Sequence, residues 1–423
     1  MTFKDSFCPS PWFHMRINNT GHYEYCRWAS IKTVGSSTPN ICDTTPAEFF
    51  HQNLIPIRQQ LLNGERPTGC AECYQMEEHG KISGRQKQLL KIGVQLPHFE
   101  KMLASSSWLP VFANNTPQMP QDWQIDLGNY CNSACVFCDP SFSSRLAAEW
   151  KQIGLIDKSP PANWCDNPVY LQRFIDTLIK SPYIQFLHFI GGETLITPAF
   201  KKILQALINA GLNKTATIGF TTNLISWDDD LVPLLTQFAG VNLGVSVEAF
   251  DAVNEYARWP AKQQQVNKIL SQWVVLSQQH NWLMQIRTAP TILTIHKLLT
   301  VYDYAWEHGI PVESCNFLTD PVYLRPAVLP QKYRKPIIDQ MQAWIDQRPN
   351  STEIVVNIRH PNLVYTQIVQ DLQSYVNYLQ TEADQSDQLP TLMQFLKRLE
   401  LKRKNNILEH VPQYEELFRS AGY

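Results

Sequence analysis

The 423-residue chain predicts an α/β protein: a partial (β/α)6 barrel between a cysteine-rich N-terminal domain and a helical C-terminal extension. Three observations predict it. From about residue 120 to 325, short apolar runs alternate with segments whose apolar residues recur every three or four positions. Cysteines gather near the N-terminus and again between 131 and 138. Beyond Pro326 only helical periodicity remains.

The first domain, 1–100, is rich in Cys, Pro, Trp and Tyr. FHMRIN and HYEYC, around Asn19, Thr20 and Gly21, read as the two strands of a hairpin. The spacing turns helical from Phe49 to Leu62 and stops near Gly64, and GKISGRQKQLL is polar and basic enough for a connecting helix. Ser, Asn and Pro accumulate in SSSWLPVFANNTPQMP, which reads as a linker.

The second domain, 120–325, holds the candidate strands WQIDL, IQFLHFIGG, TATIGFTTN, VNLGVSVEAF, LMQIRTAPTIL and VESCNFL. Helical segments such as FKKILQALINAG and QQQVNKILSQWVVLSQQH lie between them. Serial strand–helix units imply parallel strands joined by right-handed crossovers. In a TIM-like barrel of this kind, chemistry collects at the C-terminal ends of the strands. The extension, 326–423, carries amphipathic stripes in KPIIDQMQAWIDQ, NLVYTQIVQDLQSYVNYLQ and TLMQFLKRLELKRK.

Composition narrows the function. A net charge of -2 disfavours a protein held to nucleic acid by bulk electrostatics, which needs a basic surplus. The start MTFKDSFCPSPWFHM lacks the basic and apolar parts of a secretory signal, and no apolar run spans a bilayer, so a cytoplasmic protein without membrane contact is expected. In that reducing setting, clustered thiols point to metal rather than disulfides. No P-loop, Ser-His-Asp order or HExxH supports a rival chemistry.

Cys131, Cys135 and Cys138 follow the strand WQIDL directly, in the loop DLGNYCNSACVFCDP. Three thiolates on a four-iron cluster leave one iron open, which catalysis at a metal requires. On spacing alone, zinc with a distant fourth ligand, or buried structural cysteines, would also explain the trio. The aromatic Phe137 precedes the last cysteine, where it could cover a cluster. The next strand ends in Gly191, Gly192 and Glu193, two residues that admit close backbone approach and one that can hold an ammonium group.

Over roughly 120–320 the chain resembles the radical S-adenosylmethionine (radical SAM) superfamily. The resemblance implies that Cys131, Cys135 and Cys138 hold a [4Fe-4S] cluster whose open iron binds S-adenosylmethionine, with Glu193 on its amino group. One electron, from an external donor such as flavodoxin or ferredoxin, would cleave the sulfonium to methionine and a 5′-deoxyadenosyl radical, which abstracts a substrate hydrogen. It further implies cofactor contacts at Thr222 and Asn223, a ribose site at Ser246 and Glu248, and a carboxylate fork at Arg258. The strand-five glycine motif of the family is missing near 289–294, leaving Ile292 as the candidate adenine contact.

Cys8, Cys26, Cys70 and Cys73 supply four more thiols, two on the hairpin and two in a CxxC loop. A closed four-thiol site suits electron transfer or structure, and zinc fits it as well as iron–sulfur does. The layout resembles the twitch or SPASM auxiliary-cluster module, here placed before the barrel, which implies one auxiliary [4Fe-4S] cluster. Cys42, Cys165 and Cys315 read as packing residues. His14, His22 and His79 are spare ligands near the first site; His188, Arg287, Asn316, Tyr323 and Arg325 are candidates for lining the barrel cavity. Asp228 to Asp230 reads as a solvated helix start.

The expected function is an oxidoreductase-type radical SAM enzyme that modifies a peptide or protein by epimerisation, cross-linking or dehydrogenation. A radical SAM enzyme acting on a small molecule and a non-enzymatic, zinc-stapled binding protein are the alternatives.

Overall fold

Eight strands, most of them paired in parallel, are present among the described residues: β1 (His14–Ile17), β2 (Tyr23–Glu24), β3 (Asp122–Asp126), β4 (Phe186–Ile190), β5 (Thr217–Thr222), β6 (Gly240–Ser246), β7 (Leu283–Thr288) and β8 (Val312–Ser314). The structure, a computed structural model, describes residues 6–26, 39–78, 83–95, 119–181, 183–314, 318, 320–349 and 364–423. His79, Cys315, Asn316 and positions 105–118 of the expected linker lie outside the described residues. The chain divides into two compact units: Met1–Asn129, Pro161–Phe220 and Asp229–Val241 in one, Tyr130–Pro160, Thr221–Asp228 and Asn242–Tyr423 in the other.

In the first unit the strand order is β2-β1-β3-β4-β5. The hairpin forms where the turn residues place it: Asn18 N–H donates to His22 O and Gly21 N–H to Asn18 O, both at 2.9 Å. Gly21 has φ +88, a left-handed conformation that side chains rarely adopt. β1 then runs parallel to β3, from His14 beside Asp122 to Ile17 beside Ile125. The sequence reading assigns these two strands to different domains; here they are neighbours in one sheet. Pairing across 108 residues leaves no local signal in the sequence.

A buried ion network ties the three strands together. Arg16 donates to Glu24 Oε2 at 2.9 Å and to Asp126 Oδ2 at 2.7 Å. Trp123 and Ile125 on β3, and Leu187 and Phe189 on β4, are fully buried. The helix Pro168–Ile179 covers this face with Leu171, Phe174, Ile175 and Leu178, Asn167 capping its start by accepting from Val169 N–H. The helix Pro198–Asn209 adds Phe200, Ile203, Leu204 and Leu207. Each such side chain contributes on the order of 1.5–3 kcal/mol through burial.

In the second unit the order is β6-β7-β8, all parallel, with Asn242 beside Leu283 and Ile286 beside Val312. Leu243, Val245 and Val247 are buried in succession on alternate residues, and Gly244 and Ser246 between them are buried too. Burial on both faces is usual for strands of a parallel sheet. The helices Gln263–Gln279 and Leu298–His308 flank these strands in sequence, the latter stopped by Gly309 at φ 60. After Pro326 the longest elements are the helices Gln331–Asp346, Val364–Thr381 and Leu389–Arg403. Among the described residues, no helix is long and apolar enough to cross a membrane.

Candidate active site and thiol cavity

The loop after β3 is locked by backbone and side chain alike. Ala134 N–H donates to Trp259 O at 2.6 Å and Val136 N–H to Ala257 O at 2.8 Å, so the loop pairs with the segment after the short helix Ala252–Ala257. Ser143 Oγ donates to Ser133 O at 2.6 Å, and the same hydroxyl caps the helix Ser144–Gln152. Arg403 Nη2 donates to Ala134 O at 2.7 Å while the guanidinium pairs with Glu149.

These locks gather polar hydrogens around the thiols. Ser133 Oγ lies 3.1 Å from Cys135 Sγ, and Ser133 N–H donates to Cys131 Sγ at 3.4 Å. Asn223 Nδ2 is 3.8 Å from Cys131 Sγ and 2.8 Å from Asn132 Oδ1. Arg258 Nη1 is 3.8 Å from Cys135 Sγ. Cys135 is buried; Cys131 and Cys138 are half-buried. Burial first, and then the neighbouring Cys135 and Cys131, push the Cys138 thiol well above its ordinary range. The metal-binding form of each thiol is the thiolate, so a metal held by the trio would take the place of its protons. Soft sulfurs beside N–H and O–H donors suit an iron–sulfur group.

The other candidates of this unit are held in a hydrogen-bonded node. Glu248 is 1% exposed; its Oε1 accepts from Arg258 Nε at 3.2 Å and Nη2 at 2.5 Å. Its Oε2 accepts from Thr288 Oγ1 and Ala289 N–H, both at 2.8 Å. One fork edge of Arg258 is therefore filled by Glu248. Although burial opposes its charge, Glu248 holds the guanidinium more firmly protonated than usual. The Arg258 carbon sits 5.2 Å over the Phe137 ring. Ser246 is buried at the end of β6 beside Arg287, which pairs with Glu313 at 2.9 Å. Thr222 Oγ1 accepts from Leu224 N–H, and Ile292 is fully buried with its N–H on Leu324 O. Tyr323 packs on Phe395, and Arg325 is half-buried.

Gly191, Gly192 and Glu193 belong to the first unit. Gly191 has φ +123, and a Cβ there would stand 2.5 Å from Gly128 O; Gly192 N–H donates to that same carbonyl. The backbones thus touch where only glycine fits. Glu193 is 1% exposed, and its Oε1 accepts from Leu195 N–H at 3.4 Å. His188 on β4 stacks with Phe186.

The first unit also brings Cys8, Cys26, Cys70 and Cys73 to one cavity, with Pro11, Tyr25, Leu61, Gly69 and Arg85. Burial pushes the Cys8 thiol up to about 12 and raises Cys70 and Cys73 as well. Tyr25 OH lies 3.5 Å from Cys70 Sγ. Arg85 is braced by Glu77 and donates to Phe7 O. Among the described residues, no group of three or more His, Cys, Asp or Glu is placed to hold a metal ion. The soft thiols that line the cavity are of the ligand type that iron–sulfur groups and zinc take.

His14 and His22 are engaged elsewhere, with Asp122 and Thr20. Cys165 is buried with its thiol donating to Leu127 O at 3.0 Å, and Cys42 is exposed. Asp230 is exposed beside Lys201. Sequence reasoning missed Ser133, Arg85 and Arg403. Arg403 did leave a trace: it continues the buried stripe Leu392, Leu396, Leu399, where a charge needs a partner.

Residues 125–271 match the model of the radical SAM superfamily, and they form a radical SAM domain. Such a domain implies S-adenosylmethionine and a [4Fe-4S] cluster. No protein of curated function matches the chain. Similar solved structures include Streptococcus suis SuiB bound to S-adenosylmethionine, 14% identical over 68% of this chain and 62% of that one, with a TM-score of 0.35. SuiB bound to its precursor peptide SuiA gives 14%, 68%, 62% and 0.37. The radical S-adenosylmethionine methyltransferase TsrM from Kitasatospora setae, with cobalamin and a [4Fe-4S] cluster bound, gives 12%, 46%, 36% and 0.32. The chain thus spans about 62% of the length of SuiB.

Proposed function

We propose that this chain, whose residues 125–271 form a radical SAM domain, is an oxidoreductase-type radical SAM enzyme with one auxiliary [4Fe-4S] cluster, acting on a peptide or protein. Cys131, Cys135 and Cys138 hold the catalytic cluster, and Cys8, Cys26, Cys70 and Cys73 the auxiliary one. A [4Fe-4S] cluster held by this trio would supply one electron for reductive cleavage of S-adenosylmethionine.

The chain's own residues hold and orient. Ser133, Asn223 and Arg258 direct N–H groups toward the trio's sulfurs, and Ser133 Oγ lies beside Cys135 Sγ. Phe137 presents a ring beside them. By the resemblance, Glu193 takes the cofactor's amino group, Gly191 and Gly192 admit its backbone approach, and Ser246 serves the ribose, the Glu248 carboxylate being taken up by Arg258, Thr288 and Ala289. The partial barrel would exclude water from the radical.

The single observation that carries this reading is the locked CxxxCxxC loop inside the matched domain, with donors aimed at its sulfurs. The shared four-thiol cavity supports the auxiliary cluster and its twitch-like character. A one-electron carrier such as flavodoxin or ferredoxin is the expected partner in the cytoplasm.

Anaerobically reconstituted protein tests it. With reductant and S-adenosylmethionine it should be brown, contain iron for two four-iron clusters and release 5′-deoxyadenosine. Colourless protein with stoichiometric zinc and no 5′-deoxyadenosine would overturn the reading. Co-production with short candidate peptides, followed by mass spectrometry, tests the substrate class; turnover of small molecules alone would replace it.

A further inference from the structure

Arg258 has an asymmetric setting. Its Nε–Nη2 edge is engaged by one oxygen of Glu248, and its remaining nitrogen, Nη1, lies 3.8 Å from Cys135 Sγ. Glu248 is in turn immobilised by Thr288 and by the N–H of Ala289. Arg258 is 7% exposed and Glu248 1%, so water screens the pair little. The carboxylate sits across the edge that points away from Nη1. The positive end of a fixed dipole therefore faces the sulfur, and the negative end lies behind it.

We propose that Arg258, oriented by Glu248, is a positioning residue that raises the reduction potential of the cluster held through Cys135. The proposal rests on the reading that the trio holds a [4Fe-4S] cluster. Hydrogen bonds and charge near the sulfurs are among the levers that set such potentials. The reduced cluster carries one more negative charge, and a positive group at 3.8 Å from a ligand sulfur stabilises that state more than the oxidised one. The electron comes from the external one-electron carrier and leaves to the sulfonium. Arg258 and Glu248 exchange neither electron nor proton and act through their field.

The arrangement predicts shifts of opposite sign from the two halves of one salt bridge. Arg258→Gln removes the positive end and leaves the carboxylate. The ratio of reduced to oxidised cluster at fixed potential should fall about tenfold, a shift of about 59 mV for one electron. Glu248→Gln keeps one amide oxygen to accept from Arg258, places an NH2 where an oxygen accepted from Thr288 and Ala289, and removes the opposing charge, so its potential should rise. Arg258→Lys keeps the charge and should stay near the parent.

The measurement is an anaerobic redox titration of the full-length holoprotein, followed by electron paramagnetic resonance. The catalytic cluster is identified as the signal that changes on adding S-adenosylmethionine. A purely structural salt bridge would not move the two variants in opposite directions. Should Arg258→Gln fail to hold iron, Arg258→Lys and Glu248→Gln still decide: a Glu248→Gln potential that falls or stays put overturns the proposal. A parent protein without a responsive signal overturns the underlying reading and the proposal with it. A responsive parent whose variants match it overturns the proposal alone.

Discussion

Arg403 and Ala134 are joined by a 2.7 Å hydrogen bond from a buried guanidinium to a carbonyl in the cysteine loop. The same guanidinium pairs with Glu149, and the two side chains are 3% and 9% exposed. The helix Leu389–Arg403 therefore takes part in shaping the loop that carries the trio.

Removing one partner of such a pair strands the other in a low-dielectric setting. Arg403→Met should destabilise the protein by about 3–5 kcal/mol, and the double variant Glu149→Gln/Arg403→Met by less. Urea unfolding measures both. The single variant should also lose iron from the trio sooner than from the N-terminal cavity.

The two thiol sets should be separable. Replacing Cys131, Cys135 and Cys138 by Ala should abolish 5′-deoxyadenosine release while leaving about half the iron, because each [4Fe-4S] cluster holds its own set of irons. Replacing Cys70 and Cys73 should remove the other half and spare the signal that responds to S-adenosylmethionine. Iron analysis with electron paramagnetic resonance reads both.

Gly191 tests the backbone contact behind the GGE turn. Ala at this position would combine φ +123 with a Cβ 2.5 Å from the immovable Gly128 carbonyl. Gly154 shares a positive φ of +69 but has nothing within 4 Å of its Cβ position. Gly191→Ala should cost more than about 1 kcal/mol, and clearly more than Gly154→Ala. Thermal unfolding of the two variants separates strain from collision.

His296 should make stability fall in acid. Burial, and then Lys297, push its imidazolium down to about 4, against the opposing pull of Asp251. Neither ring nitrogen has a hydrogen-bond partner among the described residues. The unfolded chain takes up the proton near 6.5 and the folded one only near 4. Stability from this residue is thus complete above pH 6.5 and lost as pH falls towards 4, by up to about 3 kcal/mol. His296→Gln should flatten that part of the profile. A parent and variant whose urea midpoints fall in parallel between pH 7 and 4 would refute it.

Periodicity and spacing made much of this protein legible. The six runs that alternate with helices in the sequence correspond in position to β3 through β8, because strand burial writes apolar residues into contiguous stretches. The hairpin was legible from Asn19, Thr20 and Gly21, and the thiol groups from their spacing, since turns and loop ligands depend on near neighbours. What folding over distance decides was not legible. β1 lies beside β3, and Arg258 turns one edge to Glu248 and one nitrogen to Cys135. A guanidinium's direction depends on which buried charge reaches it first, and that is settled only when strands far apart in sequence have packed.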